Sequence, residues 1–392
     1  MTRHAAHAVA ALALAATGAA ADTTLGLDAS NAYAAELRAD ASTRGFLNAD
    51  PNDYAPKIFG YIQSRYYFSG SDGFTGTTED TYAGFQNTRT RLGVNGNIHS
   101  RVSYEIEAQF SSSSGSFTLL DGFAKIDLTD DVAVQVGQFI PPFARSWLTS
   151  PTRLLDMERS ATEVFFPGNR DQGVKLSIDG ERLHGSIMIG DGSGTLNTAY
   201  TSAAESDYAV SGRVEYLAAG DWAQFKDFTS FRGSDFGAML GAGFYWMDGG
   251  NTGGTTDSNT LAFTADGALE FDGANLSAIF YWQSMDTTAG DYTDMGLVLQ
   301  GGVFLTDIVE VFARYDTIFA DSDRPLNDDF SSATLGLNYY LIPESHAAKL
   351  SFDFQYFFDD QASSPVPAST TVGVLGATDE QYTLRAQLQV MF

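Results

Sequence analysis

The 392-residue chain carries 49 acidic and 22 basic residues, a formal net charge of −27, and no cysteine. That acidity excludes a nucleic-acid partner, which needs a basic footprint, and the missing cysteine excludes disulfide staples and thiol chemistry. No later stretch approaches the roughly 18 consecutive apolar residues of a transmembrane helix, so a chain that enters a bilayer must close its backbone hydrogen bonds as a barrel.

At the front, Arg3 precedes an apolar run from Ala5 to Ala16, and Ala19-x-Ala21 forms a small-x-small cleavage pattern. Residues 1–21 read as a secretory signal peptide. Cleavage after Ala21 leaves 392 − 21 = 371 residues with a charge of −28, because the removed segment holds Arg3 and no acid. Residues 22–56 read as a periplasmic leader with a modest helical signal from Ala29 to Arg44. Residues 57–392 then read as a transmembrane antiparallel β-barrel.

The barrel expectation rests on extended segments of alternating character, each about 9–11 residues long, the length that crosses a bilayer as a tilted strand. They fall at 57–68, 85–95, 102–110, 118–127, 132–139, 172–178, 183–190, 208–217, 235–246, 261–271, 276–285, 294–304, 308–319, 332–341, 348–358 and 382–392, an all-β fold of about sixteen strands. Strand side chains have a period of two. Leu350, Phe352, Phe354, Tyr356 and Phe358 are therefore expected to face lipid, with Lys349, Ser351, Asp353 and Gln355 facing the lumen. Tyr104, Ile106, Ala108 and Phe110 alternate with Ser103, Glu105, Glu107 and Gln109 in the same way. The last strand sets Leu384, Ala386, Leu388, Val390 and Phe392 against Arg385, Gln387, Gln389 and Met391. Its terminal aromatic residue reads as the signal offered to the barrel-assembly machinery.

Connections alternate in length. Odd-numbered ones such as 69–84, 191–207, 320–331 and 359–381 are long, as expected outside the cell; even ones such as 128–131, 179–182 and 305–307 are short. Three connections break the pattern: the even Ala218–Ser234 is long, and the odd Ser111–Phe117 and Asp286–Thr293 are short. Sixteen strands leave an aqueous channel, whereas eight are filled by their own side chains. A pore for small solutes is the expected consequence, with lipid around it.

Ile140–Asp171, the third external loop, is too apolar to lie free in water: Phe143, Trp147, Leu154, Leu155, Met157, Phe165 and Phe166 all need cover. It is expected to fold inward and narrow the pore. It holds four arginines (Arg145, Arg153, Arg159 and Arg170) and four acids, whereas the other long external loops, with Asp286–Asp294 added, hold nineteen acids and one base, Arg324. Guanidinium is always charged and matches phosphate and carboxylate. The alternative use of Arg153, Arg159 and Arg170 is to pair with Asp156, Glu158, Glu163 or Asp171 and brace the loop, since buried charges need partners. Arg89, Arg91 and Lys125 are expected to point inward from their strands and join the anion path, as are Arg65, Lys175, Arg213, Arg314 and Arg385 on the same polar faces. Lumenal acids accompany them, so two arrangements fit: opposed walls that make a transverse field, or a basic ladder that selects anions.

The stretch Phe85-Gln-Asn-Thr-Arg89-Thr-Arg91-Leu-Gly-Val94, the run Val136-Gly-Gln-Phe139 followed by Pro142-Phe143, Met157-Glu158-Arg159-Ser160, Gly168-Asn-Arg170-Asp171-Gln-Gly173 and Leu335-Gly-Leu-Asn338-Tyr339-Tyr340 together resemble the phosphate-selective porin O and P family. The resemblance spans about residues 57–392, with 134–173 its specific part. It implies a sixteen-stranded homotrimer that passes anions through a basic constriction. That family commonly has lysine directly after Gly-Gln-Phe; this chain has Ile140 there.

Rival readings are a general cation-preferring porin, an outer-membrane enzyme, and a structural or adhesive barrel without an open pore. His99, His184 and His346 form neither a cluster nor a Ser–His–acid arrangement, so no catalytic residue, metal or other cofactor is expected.

Overall fold

A computed structural model describes residues 32, 34–36, 54–72, 81–192, 195–202, 206–249, 258–360, 363–375 and 379–392. The proposed signal peptide lies outside them, as does most of the leader. Sixteen strands follow one another: β1 (Lys57–Asp72), β2 (Thr81–His99), β3 (Val102–Phe110), β4 (Phe117–Asp127), β5 (Val132–Phe139), β6 (Asp171–Asp179), β7 (Leu183–Gly190), β8 (Tyr208–Ala219), β9 (Gly237–Asp248), β10 (Ser258–Phe271), β11 (Ala274–Thr287), β12 (Gly290–Phe304), β13 (Val309–Phe319), β14 (Phe330–Tyr340), β15 (Ala348–Phe357) and β16 (Asp379–Met391). Each pairs antiparallel with its sequence neighbours, and β1 pairs with β16 to close the barrel. Past the register Tyr61↔Met391, the amide and carbonyl of Phe392 bond to those of Gly60 at 2.9 and 3.0 Å. Closure leaves no unpaired sheet edge to face lipid.

The alternation settles which face is which. On β14, Leu335 is 65% exposed while Asn338 and Tyr340 are fully buried. On β15, Lys349, Ser351, Asp353 and Gln355 are buried and Phe354 is exposed. The outer wall is apolar because a charge turned to lipid near mid-membrane costs about 2–4 kcal/mol. The strands outrun the apolar stripe in places. β1 and β2 continue through Gly70, Asp72 and Thr81, beyond the expected 68 and 85. Backbone pairing persists there, but nothing outside the bilayer requires alternation, so the sequence pattern stops first.

The lumen is crowded. The 140–170 loop folds inside, and it is not alone. Val366, Val372 and Val374 of the β15–β16 connection join Phe330 and Phe357 in the same buried cluster. From the opposite end, the long β8–β9 connection sends in Phe225 and Phe228, both buried. The anomalous length of 218–234 is thus an inward insertion, and the β15–β16 connection is not simply a solvated outer loop.

One glycine is dictated by this geometry. Gly137, in the Val136-Gly-Gln-Phe139 run, has φ of +137°, and a Cβ there would stand 2.2 Å from the Gly122 carbonyl oxygen. Both the backbone conformation and the space reject a side chain. Gly137→Ala should cost at least about 1–3 kcal/mol, read as a lower urea midpoint for loss of the heat-resistant folded band; an unchanged midpoint would contradict the local geometry.

Candidate functional site

The 140–170 loop lies across the lumen against the β8–β15 side. After the turn at Pro141 and Pro142, Phe143 packs against Tyr245 and Tyr281, and Arg213 of β8 donates to its carbonyl at 3.1 Å. A first short helix, α1 (Arg145–Leu148), sets Ser146 Oγ 3.2 Å from the Tyr281 hydroxyl. A second, α2 (Ala161–Phe165), starts with a reciprocal cap: the Glu163 amide donates to Ser160 Oγ, and the Ser160 amide donates to the Glu163 carboxylate. Phe166 then stacks on Tyr281 with centroids 4.8 Å apart, and Thr162 donates to Asp316 of β13 at 3.0 Å.

Charge pairing fixes the middle of the loop, but with different partners from those expected. The loop's acids bind wall arginines. Glu158 receives Arg89 at 2.6 Å and lies 3.6 Å from Arg65. Asp156 receives Arg314 at 2.9 Å and Arg385 at 3.4 Å. Burial pushes the Glu158 carboxyl up, but Arg89, with Arg65 and Arg159 behind it, outweighs burial and holds it at about 2.

The loop's arginines turn elsewhere. Arg145 donates to the Asp227 carbonyl at 2.6 Å and lies 4.2 Å over the Phe228 ring, both in the β8–β9 insertion. Arg153 contacts Asp227 and Glu36, each at 3.4 Å. Arg159 donates to the carbonyls of Ser146, Trp147 and Thr149, with its guanidinium 4.6 Å over the Trp147 ring. Arg170 makes a forked bond to Asp121 of β4, the shorter arm 2.7 Å, and lies 3.7 Å from Glu107. Loop bracing by internal ion pairs is therefore corrected: the carboxylates that receive Arg153 and Arg170 belong to the wall, the leader and the turn-end insertion.

Between the loop and the β2–β6 side lies a cavity of about 40 Å³, room for little more than a water molecule. Arg91, Arg159, Arg170 and Lys175 face it, against Glu107 and Asp121, so four cations less two carboxylates leave +2. Arg91 is bound to Glu107 at 3.0 Å and Arg170 to Asp121. Arg159 is satisfied by carbonyl oxygens, and the Lys175 ammonium lies 5.1 Å over the Phe139 ring. Neither is in an ion pair among the described residues, though Glu158 and Glu163 stand near enough to act on Arg159, and Asp179 on Lys175. Lys125 stands in the same inner row: register aligns Lys125 with Gln135, and Gln135 with Lys175. Lys125 itself lies 3.4 Å from Asp127.

Of the seven site residues read from the sequence, Arg91, Arg159 and Arg170 thus meet at one cavity, with Lys125 along the wall beside it. Arg89 clamps the loop, while Arg145 and Arg153 anchor its far side. Lys175 was legible as an inward base but not as a cavity residue; its place comes from the register of β4, β5 and β6. Asp227, Glu36 and His346 gave no sequence signal beyond the long 218–234 connection.

The sequence profile of phosphate-selective porin O and P matches residues 60–392. The chain belongs to this family. It is an outer-membrane porin of sixteen strands. Among solved structures, the anion-selective porin from Comamonas acidovorans shares the fold at a TM-score of 0.60 and 13% identity, covering 86% of this chain and 99% of that one. The trimer form of OmpT from Vibrio cholerae gives 0.56 at 13% identity, covering 86% and 100%. The outer-membrane channel DcaP of Acinetobacter baumannii gives 0.55 at 13%, covering 86% and 97%. No curated relative matches the chain. Within the porin, the family-like run Met157-Glu158-Arg159-Ser160 is the segment where the loop is clamped by Arg89 on one side and offers Arg159 to the cavity on the other. Ile140 lines the same cavity as Lys175, so an ammonium reaches it from β6.

The depressed Glu158 carboxyl gives a signed expectation. Its stabilising contribution is complete above the unfolded value of about 4.3 and is lost as pH falls through about 2. Single-channel conductance should stay level from pH 7 to about 4 and become noisy and larger as pH approaches 2. Glu158→Gln should show that noise at pH 7; a quiet, wild-type trace from the folded variant would remove Glu158 as the clamp.

Proposed function

We propose a passive diffusion pore for small hydrophilic solutes with a moderate preference for anions, phosphate among them, and no catalytic activity. The observation that carries this is the cavity between the inward loop and the β2–β6 wall, whose lining holds four cations against two carboxylates, with Arg159 and Lys175 outside any ion pair among the described residues. The family description and the anion-selective Comamonas porin support the same sign. The remaining family expectations belong to this reading: removal of residues 1–21, delivery by the assembly machinery through the β16 end, lipid against the apolar outer wall, and a homotrimer, for which the trimer form of OmpT is the parallel.

Acidic loops oppose the constriction at long range. Salt near physiological strength screens charges beyond about 8 Å, so the mouths lose influence while the close-range cations keep theirs. Anion preference should therefore weaken as salt is lowered. A general cation-preferring porin is the competing reading, and it draws on Glu105, Glu107 and Asp121 of the same wall.

Planar-bilayer recording in a potassium chloride gradient tests the choice. At about 6 Å in water-like dielectric one charge is worth about 0.7 kcal/mol, so Lys175→Gln should lower anion and raise cation permeability roughly threefold each and cut their ratio roughly tenfold. Added phosphate should reduce chloride current in the wild type and less so in the variant. A wild-type pore that is cation-selective at every salt, and unmoved by Lys175→Gln, would establish the competing reading.

A further inference from the structure

Residues 32 and 34–36 of the leader are helical and lie inside the barrel end that carries the short turns. Ala32 and Ala35 pack against Tyr61 and Met391, which point inward from β1 and β16, and against Ile342 and Ala347 of the β14–β15 turn. Glu36 is buried, and its carboxylate accepts from the Ser345 hydroxyl and from the Ala347 amide at 3.0 Å. The other carboxylate oxygen lies 3.4 Å from Arg153 of the 140–170 loop.

Arg153 is where the leader and the β8–β9 insertion both meet that loop. Asp227 of the β8–β9 insertion contacts Arg153 at 3.4 Å and His346 at 3.2 Å. Beside it, Lys349 donates to the Leu154 carbonyl at 3.1 Å and Asn338 to the Leu155 carbonyl at 2.8 Å. The Lys349 and Asn338 bonds would hold residues 154 and 155 to the wall without the leader. Glu36 adds a bond that reaches Arg153 from a segment outside the barrel sheet. A carboxylate carried ahead of the first strand and not itself part of the sheet, holding the loop that narrows the lumen, has the form of a latch.

We propose that Glu36 is a positioning residue, and that the leader segment carrying it is an internal stopper that occupies the turn-end mouth and holds the constriction loop in its narrow position through Arg153. This rests on the pore reading above. Undocking would clear the mouth and free one side of the loop at once, so docking sets how much current the pore passes. The acid supplies the bond, and Ala32 and Ala35 share one buried cluster with Tyr61 and Met391.

The test uses the full-length chain in planar bilayers. Losing hydrogen bonds to a charged group shifts a docked-to-undocked ratio by roughly tenfold or more. Glu36→Ala and Glu36→Gln should raise the fraction of time in a higher-conductance state by about that factor, while the heat-resistant folded band stays as in the wild type, because no strand pairing involves Glu36. Glu36→Asp should restore part of the wild-type behaviour. Because the chain has no cysteine, Ala35→Cys offers a single thiol at a position now 3% exposed. It should react slowly with a membrane-impermeant maleimide, and roughly tenfold faster when combined with Glu36→Ala. Wild-type current and dwell times in folded Glu36→Ala would overturn the latch, as would an Ala35→Cys thiol that reacts as fast in the folded protein as in the denatured chain. A wild type that passes no current would instead count against the pore reading, and the labelling rates would still decide the latch.

Discussion

Every buried charge in this barrel needs a partner, and lipid gives it nowhere else to go. A strand that crosses a bilayer can turn charge only inward, so the inner wall collects Arg65, Arg89, Arg91, Arg213, Arg314 and Arg385 together with Glu105, Glu107, Asp121, Asp266, Glu310 and Asp353. Strands along the wall cancel part of this, as Arg385 of β16 does with Asp353 of β15 at 2.7 Å and Arg213 of β8 with Asp266 of β10, across β9, at 2.8 Å. Part of the remainder meets the chain's own connections folding in, whereas Glu105 makes no ion pair among the described residues and Glu310 accepts from Asn338 and Tyr340. Asp156 and Glu158 descend onto Arg314, Arg385, Arg65 and Arg89, and the carbonyls of Thr371 and Val372 cap Arg65 and Arg385. Breaking one such buried pair by deleting a partner costs about 3–5 kcal/mol, which is why the loop is fixed in place although the barrel is wide.

Function follows from what this cancellation leaves over. On the β8–β15 side the loop meets aromatic rings and ion pairs, and the Lys349 ammonium there donates to the Leu154 carbonyl with the Glu310 and Asp227 carboxylates acting on it. On the β2–β6 side Arg159 satisfies its donors with neutral carbonyls, and Lys175 rests on a ring face. A carbonyl accepts a hydrogen bond without neutralising the donor's charge, so the lining of the gap keeps the net positive charge of four cations less two carboxylates. The positive field belongs to the gap and not to the chain, whose overall charge is −27.

Much of this was legible in the sequence because lipid imposes a period-two rule that no other environment enforces so strictly. All sixteen strands, the inward loop and its family-like landmarks carried that mark or an apolar excess with no other cover. The illegible parts obey weaker rules. Val366, Val372 and Val374 sit among Ser, Thr and Pro and read as a surface loop, yet they pack inside. Phe225 and Phe228 were visible only as an overlong turn. Arg89 and Arg91 look equivalent two residues apart, but Arg89 meets Glu158 from the loop and Arg91 meets Glu107 from β3. Such assignments depend on which partner comes from across the lumen, a long-range fact that no local pattern encodes.

The central claim is that the loop seals one side of the lumen and leaves the ion path on the other. Single cysteines in this cysteine-free chain test it directly. Gln135 on β5 lines the gap, and Thr334 on β14 lies buried on the opposite wall. A bulky cationic thiosulfonate added during recording should cut the current through Gln135→Cys sharply and leave Thr334→Cys unchanged. Block at Thr334→Cys with none at Gln135→Cys would place the path on the other side of the loop and contradict the account.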